Sequence, residues 1–369
     1  MSKHPVATLA VREFSCLGAE CPDTCCRGWD MPSDAGQRAR MAERAPELLA
    51  TVDAEKSIMK RDAATQECEQ LCAGMCRIHG EFGAEFLSDS CYFYPRITHH
   101  IGRDTMLAGA ASCPEMLRLM LHVPHAFVWR ETEQARMPAA AKPLDIGEFS
   151  PPEALALMQT SVNCALDESL SPEAILQQLL TLAGVPQTEP MPKSGDAHAV
   201  YYALALTEAF AAPGISQRLP GIMQRMEQAL DCRFDRAERT ILFGPNATHA
   251  ARMLQARWRV DAAHVLAPAL RHWIAAQLQF SAFPFGGFRG LTMAERGAIL
   301  AQRFATVRLA LMCHVAENGV APDEATLIHV MQGIARFMDH LADAKLTLMI
   351  HRDSGWNEAA RLRGLVALT

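Results

Sequence analysis

The sequence predicts a mainly α protein, with a small irregular, cysteine-rich N-terminal domain containing one short β-hairpin, followed by an α-helical domain. Three observations predict it. Nine of the twelve cysteines fall within the first 113 residues, among short segments with little periodic core. Downstream, apolar residues recur at helical spacing, as in Leu300, Phe304, Val307 and Leu311, and again in Leu327, Val330, Ile334, Phe337 and Leu341. At 369 residues the chain also exceeds the roughly 250–300 residues that one hydrophobic core usually serves. Residues 1–136 are therefore read as a cysteine-rich metal or iron–sulfur domain, 137–152 as a linker and 153–369 as the helical domain.

Residues 6–14 alternate enough for a strand, and 32–55 read as helix. Residues 97–100 and 105–110 flank Gly102-Arg103-Asp104, which reads as a hairpin turn. Ligation would supply the stability that so core-poor a region lacks. The stretch 137–152 carries three prolines before Pro152 and no helical period, which marks the linker. Ser150-Pro151-Pro152-Glu153 then offers an N-cap, a proline at the first helical position and a glutamate three residues after the cap. Thr292-Met293-Ala294-Glu295 repeats that capping-box logic. Breaks fall at 186–195, 213–214, 244–245 and 283–290.

A formal charge of −6 gives no basic surface for phosphates, so no nucleic-acid partner is expected. The apolar stretch 6–11 ends at Arg12 and Glu13, too early for a signal-peptide core, and no run approaches the roughly 18 uncharged apolar residues of a membrane span. A cytoplasmic protein without a membrane partner is expected. A reducing cytosol disfavours structural disulfides, so the crowded thiols call for a ligand.

Cys16, Cys21, Cys25 and Cys26 form C-x4-C-x3-C-C, and Cys68, Cys72 and Cys76 form C-x3-C-x3-C. Cys91 precedes Tyr92-Phe93-Tyr94-Pro95-Arg96, and Cys113 precedes Pro114-Glu115. Crowded thiolates repel one another, so such a group is stable mainly when a cation or cluster takes up the charge. Adjacent cysteines do not easily aim at one ion, so one of Cys25 and Cys26 binds while the other packs or serves a second centre. Zinc favours C-x2-C knuckles, which the sequence lacks, and the three-residue gap before Cys76 also departs from the radical-SAM cluster motif. Iron–sulfur ligation tolerates varied spacings. Two readings stand: an iron–sulfur cluster, or one zinc that folds the domain while the remaining thiols pack as small hydrophobes. Cys164, Cys232 and Cys313 lie in helical, apolar surroundings and read as core. His79, His99 and His100 are further candidate ligands, set against the commoner role of exposed polar residues near a turn.

The ordered set Cys16, Cys21, Cys25-Cys26-Arg27-Gly28-Trp29, Cys68, Cys76-Arg77-Ile78-His79, Gly83, Leu87-Ser88, Cys91, Tyr94-Pro95-Arg96, Cys113-Pro114-Glu115 and Arg118-Leu119 resembles the flagellin lysine-N-methylase (FliB) family. Its front half is also similar to the YkgJ-like cysteine-cluster domain, described as zinc- or iron-chelating. The likeness extends through residues 271–284 and Ala335-Arg336-Phe337-Met338-Asp339-His340. The resemblance implies methyl transfer from S-adenosylmethionine to lysines of flagellin in the cytoplasm, by a protein carrying a 4Fe-4S cluster. It carries Cys16, Cys21, Cys25, Cys26, Cys68, Cys76, Cys91 and Cys113 over as metal ligands and leaves Cys72 unplaced. The acidic-Gly-x-Gly loop of Rossmann-like methyltransferases is missing from the sequence, so the donor would sit in another architecture.

Under that resemblance Asp23, Tyr94 and Glu115 are the catalytic candidates, with Asp23 or Glu115 for the lysine. Trp29, Tyr92 and Arg96 are the candidates for S-adenosylmethionine, the aromatics stacking its adenine and Arg96 holding its carboxylate. Each has a bland counterpart: aromatic packing for the rings, an intradomain bridge for Arg96. The acceptor is flagellin or another lysine-bearing protein. The rival class is a non-catalytic zinc- or iron-binding or redox module whose helical half docks a protein partner.

Overall fold

Thr8 shows how early the N-terminal strand ends. Strand β1 (Val6–Thr8) stops where the Thr8 hydroxyl accepts from the Val11 amide at 3.4 Å and caps helix α1 (Leu9–Arg12). The strand expected over 6–14 is therefore cut to three residues, a local cap overriding weak alternation. The computed structural model describes residues 5–133, 143–190, 200, 203, 218–235, 237–238, 240–286, 290–340 and 344–367.

Asp34 caps α2 (Ala35–Arg44) through the Gln37 amide at 2.7 Å. The helix expected over 32–55 ends there, because Pro46 opens a 3-10 turn (Pro46–Thr51) and β2 (Val52–Asp53) then pairs with β3 (Ile58–Met59). Next come the tight hairpin β4 (Leu71–Cys72) and β5 (Met75–Cys76) and the short helix α3 (Asp89–Phe93).

The expected hairpin forms as β6 (Arg96–Ile101) and β7 (Asp104–Gly109), with Ile101 opposite Asp104 and Gly102 at φ +59° in the turn. It is half of a four-stranded sheet. In the order β6-β7-β1-β8, β1 runs parallel to β7 and antiparallel to β8 (Trp129–Glu131). Helix α4 (Pro114–His122) connects the hairpin to β8.

The remainder is mainly helical. Helices α5 (Pro151–Ala165) and α6 (Pro172–Leu182) precede α7 (Leu219–Ala229), and the hairpin β9 (Cys232–Asp235) and β10 (Thr240–Phe243) follows. Then come α8 (Ala247–Arg257), α9 (Ala263–Phe280), α10 (Met293–Asn318), α11 (Glu324–His340), α12 (Ala344–Asp353) and α13 (Ala359–Val366). Both expected capping boxes form, at Ser150/Glu153 and Thr292/Glu295. The break at Gly244-Pro245 separates β10 from α8. The break at 213–214, residues 137–142 of the expected linker and Leu341 lie outside the described residues.

Helix α10 is the axis of the helical part, with Phe304, Val307 and Leu311 fully buried. Among the described residues it alone is long and apolar enough to cross a membrane, yet 89% of its apolar window is covered by protein, as in a core helix. Its core also takes in Ala7, Val11, Leu107, Met116 and Leu117, so the sheet and α4 pack directly on the helices. A second, smaller core of Met41, Leu48, Met59, Ile78 and Phe86 lies beneath the cysteine segments, with Cys68, Cys76 and Cys91 packed against it. Cys313 is buried and Cys164 and Cys232 are half-buried against the main core, as their apolar neighbours predict.

Candidate metal centre

Eight cysteines from four separate segments line one cavity of about 700 Å³: Cys16, Cys21, Cys25, Cys26, Cys68, Cys76, Cys91 and Cys113. They are the eight that the sequence pattern singles out. Cys72 is exposed and does not line the cavity, because it sits at the outer end of the β4–β5 hairpin. All are free thiols.

Each thiol is placed by a local device. Cys16 and Cys21 flank a 3-10 turn (Gly18–Glu20), closed by the Cys21 amide donating to Gly18 O at 3.1 Å. The Cys68 amide donates to Cys26 O at 2.7 Å, tying the two cysteine segments together. Leu71 pairs with Cys76 across the β4–β5 hairpin, and the Leu71 amide reaches Cys68 O at 2.8 Å. Ser88 caps α3 by accepting from the Cys91 amide at 3.3 Å, and Cys113 is the N-cap residue of α4.

Burial governs the electrostatics. Desolvation pushes Cys91 and Cys113 up to about 12 and Cys68 to about 11, and nearby thiols add to the shift. Cys26 moves the other way, to about 7, mainly because the Cys25 thiol donates to its sulfur. The Cys25 thiol is correspondingly held well above its ordinary value. Burial therefore favours neutral thiols at Cys68, Cys76, Cys91 and Cys113, and several thiolates together require a cationic group among them. Among the described residues, no three His, Cys, Asp or Glu side chains converge tightly enough to hold a single metal ion. The thiols ring a space.

The other sequence candidates divide. Tyr92, Arg96, Glu115 and His79 line the same cavity. Arg96 lies 5.6 Å from the centre of the Phe14 ring, and Arg118 grips both Glu115 oxygens at 2.8 and 2.7 Å. Asp23 and Tyr94 also reach the wall, but their polar atoms are engaged elsewhere: the Tyr94 hydroxyl donates to Ser112 Oγ at 3.2 Å, and both Asp23 oxygens face the helical half. Trp29 does not line the cavity. Its ring stacks under Arg336 at 4.6 Å and meets Tyr94 and His340 edge-on. His99 and His100 do not line the cavity: His99 Nε2 is 2.9 Å from Gln279 O, and His100 Nδ1 pairs with Thr105 Oγ1 at 2.9 Å.

The comparisons with known proteins point one way. A lysine-N-methylase of Salmonella typhimurium and another of Salmonella choleraesuis are each 26% identical to the chain over 133 residues. That span is 33% of this chain and 33% of each of those proteins. The flagellar biosynthetic protein FliU of Salmonella muenchen is 26% identical over 133 residues, which is 79% of its length. The chain resembles the lysine-N-methylase (FliB) family. No family model matches the sequence, and no solved structure matches it.

What the sequence reading of this lysine-N-methylase-like chain missed is the contribution of α11. Arg336 donates to Asp23 O, Thr24 O and Arg27 O at 3.1, 2.8 and 2.7 Å, and Gln332 Nε2 donates to Asp23 Oδ2 and Ser112 O, both at 2.8 Å. His340 Nε2 lies 2.7 Å from Ser112 Oγ. The signal was present, since residues 335–340 belong to the stretch that carries the family likeness. Their partners lie between 220 and 313 positions away in sequence, and no local pattern announces such pairs.

Proposed function

We propose that the chain is a protein-lysine N-methyltransferase that takes its methyl group from S-adenosylmethionine, acts on flagellin in the cytoplasm and carries a 4Fe-4S cluster in the cysteine cavity. The observation that carries this reading is the meeting of all eight family-pattern cysteines around one cavity, with Cys72 outside it. The names of the lysine-N-methylase relatives support the reaction, and the FliU relative supports a flagellar substrate. The donor set suits the cluster. Soft thiolates favour iron–sulfur groups, and thiols ringed around a space suit a cluster better than a tetrahedral zinc, whose four sulfurs each sit about 2.3 Å from one point.

When bound, such a cluster supplies a thiolate-ligated iron centre. The chain's own residues do the rest. The target lysine, with a free pKa of about 10.4, must lose its proton to become a nucleophile. Entry into a partly apolar cavity costs the charged form its hydration and so favours the neutral amine. Glu115, fixed by Arg118, accepts an N–H from the amine and orients the nitrogen lone pair. In the transfer the N–C bond forms as the S–CH3 bond breaks. The thioether leaves neutral without acid assistance, and the proton lost from nitrogen passes to solvent. Positioning is the main source of rate in such a displacement.

The test is chromatographic detection of S-adenosylhomocysteine after anaerobic incubation of the cluster-loaded chain with S-adenosylmethionine and flagellin. Release of the thioether product that depends on flagellin supports the reading. A chain that binds iron and sulfide yet releases none is a redox or metal-binding module instead.

A further inference from the structure

We propose that a second cavity, walled by β6, α9, α10 and α11, binds a flat, uncharged, amino-substituted nitrogen base of the adenine kind. Its volume of about 350 Å³ falls within the range of small-molecule sites, and it shares no described lining residue with the cysteine cavity. The inference uses none of the thiols and stands whether or not they hold a cluster.

The polar groups of this cavity are only half used. Gln277 is 1% exposed and the Asp339 side chain 0%. Arg303 Nη1 donates to Gln277 Oε1 at 2.8 Å and to Asp339 Oδ1 at 3.2 Å. Because a guanidinium only donates, this contact fixes the Gln277 amide with its oxygen toward Arg303 and its nitrogen turned elsewhere. Among the described residues, Gln277 Nε2 and Asp339 Oδ2 then make no hydrogen bond, and neither does Thr98 Oγ1 on the adjoining strand. The two side chains are nonetheless neighbours, since the Gln277 amide helps Arg303 to favour the Asp339 carboxylate against its burial. A spare donor and a spare acceptor therefore stand side by side in the wall. Buried polar groups of this kind are costly to leave unpaired, and the adjoining cavity is where partners can enter.

Charge and shape choose the ligand. An anion meets Asp339 and a cation meets Arg296 and Arg303, so neither gains a net attraction. Burial raises the Asp339 carboxyl to about 6, which still leaves it an acceptor at neutral pH. The ligand that fits is neutral, with an N–H for Asp339 Oδ2 beside a ring nitrogen for Gln277 Nε2. The amino edge of adenine carries that pair. Phe280 supplies an aromatic face and Ile97, Ile299 and Leu300 supply branched aliphatic ones, which suit a flat ring. Such an edge arrives either on S-adenosylmethionine or on a free nucleoside. The rings of Phe280, His340 and Tyr94 follow one another with centres 6.1 and 5.9 Å apart, and Tyr94 lines the cysteine cavity, so the two cavities are neighbours across those rings.

Isothermal titration calorimetry of the full chain with adenosine, purine riboside and S-adenosylhomocysteine tests this. Adenosine should bind, and purine riboside, which lacks the amino group, should bind about tenfold or more weakly because Asp339 Oδ2 stays unpaired. Gln277→Glu keeps the contact with Arg303 but loses the donor, and Asp339→Asn loses the carboxylate. Each should weaken adenosine by about tenfold or more, with circular dichroism to check folding. The comparison of the two nucleosides needs no variant. Binding of S-adenosylhomocysteine with the same sensitivity to both substitutions makes the methyl donor the source, and binding of adenosine alone makes it a free nucleoside; both support the site. No heat from any of the three, as from a cavity that holds only water, would overturn it. So would equal affinity for the two nucleosides, or folded variants that bind adenosine like the unaltered chain. The methylase reading, judged by thioether release, would survive each of these results.

Discussion

Arg336 Nη1 lies 2.8 Å from Asp23 Oδ1, with the two side chains only 1% and 4% exposed. This pair fastens the loop between Cys21 and Cys25 to helix α11, across the whole length of the chain. Desolvating both ions is costly, and Gln332 and three backbone carbonyls offset part of that cost with further hydrogen bonds. Replacing Arg336 by methionine leaves a buried carboxylate without its counter-ion. Urea denaturation should show a loss of about 3–5 kcal/mol, and the variant should also retain less iron, because the Cys25-Cys26 loop loses its anchor. A wild-type stability curve would show that Asp23 tolerates the loss and that the clamp is dispensable.

Gly74 turns the β4–β5 hairpin with φ +79°, and a Cβ there would stand 2.9 Å from the Ala19 backbone. Gly74→Ala therefore combines left-handed strain with a backbone clash, for a cost of about 1–3 kcal/mol. Since this hairpin carries Cys76 next to the turn between Cys16 and Cys21, metal retention should fall too. Gly80 has open space at its Cβ position, so Gly80→Ala is the silent control in the same iron assay.

Thr292 and Glu295 cap α10 reciprocally, the Glu295 amide donating to Thr292 Oγ1 at 3.2 Å and Glu295 Oε2 accepting from the Thr292 amide at 2.8 Å. Thr292→Ala should lower thermal stability by about 1 kcal/mol, without changing iron content. A change in iron content would mean that α10 is coupled to the metal site in a way its cap does not reveal.

Desolvation by burial depresses His99 to about 4, against the opposing pull of its hydrogen bond to Gln279 O, so the folded chain keeps this ring neutral. Above pH 6.5 it is neutral in both states and contributes no pH dependence. Below that, the unfolded chain takes up a proton that the folded chain refuses until about pH 4, so stability falls through this window. By pH 5 the loss from this one site is about 2 kcal/mol. Denaturation curves at pH 7 and pH 5, repeated with His99→Gln, should show a shallower fall in the variant.

Much of this architecture is legible before any coordinates. The 3.6-residue period of Phe304, Val307 and Leu311, both capping boxes and the Gly102 turn are local features, and each appears where its residues place it. The strand at residues 6–8 is legible but overdrawn, strand β8 is invisible because three residues are too few to alternate, and the parallel pairing of β1 with β7 bridges about a hundred positions. The eight cysteines were readable as a set. Their meeting around one cavity was not, since it depends on how four separate segments pack together. Asp23 illustrates the same limit: its sequence neighbours suggest a ligand for lysine, whereas its oxygens face Arg336 and Gln332, more than three hundred positions downstream.

The most direct measurement is peptide mass spectrometry of flagellin after incubation with S-adenosylmethionine and the anaerobically reconstituted chain, beside a Cys26→Ser variant. The account predicts methylated lysines with the unaltered chain and a large loss with the variant, whose cavity lacks one of its eight thiols. Unmodified lysines throughout, from a chain shown to hold iron and sulfide, would contradict it.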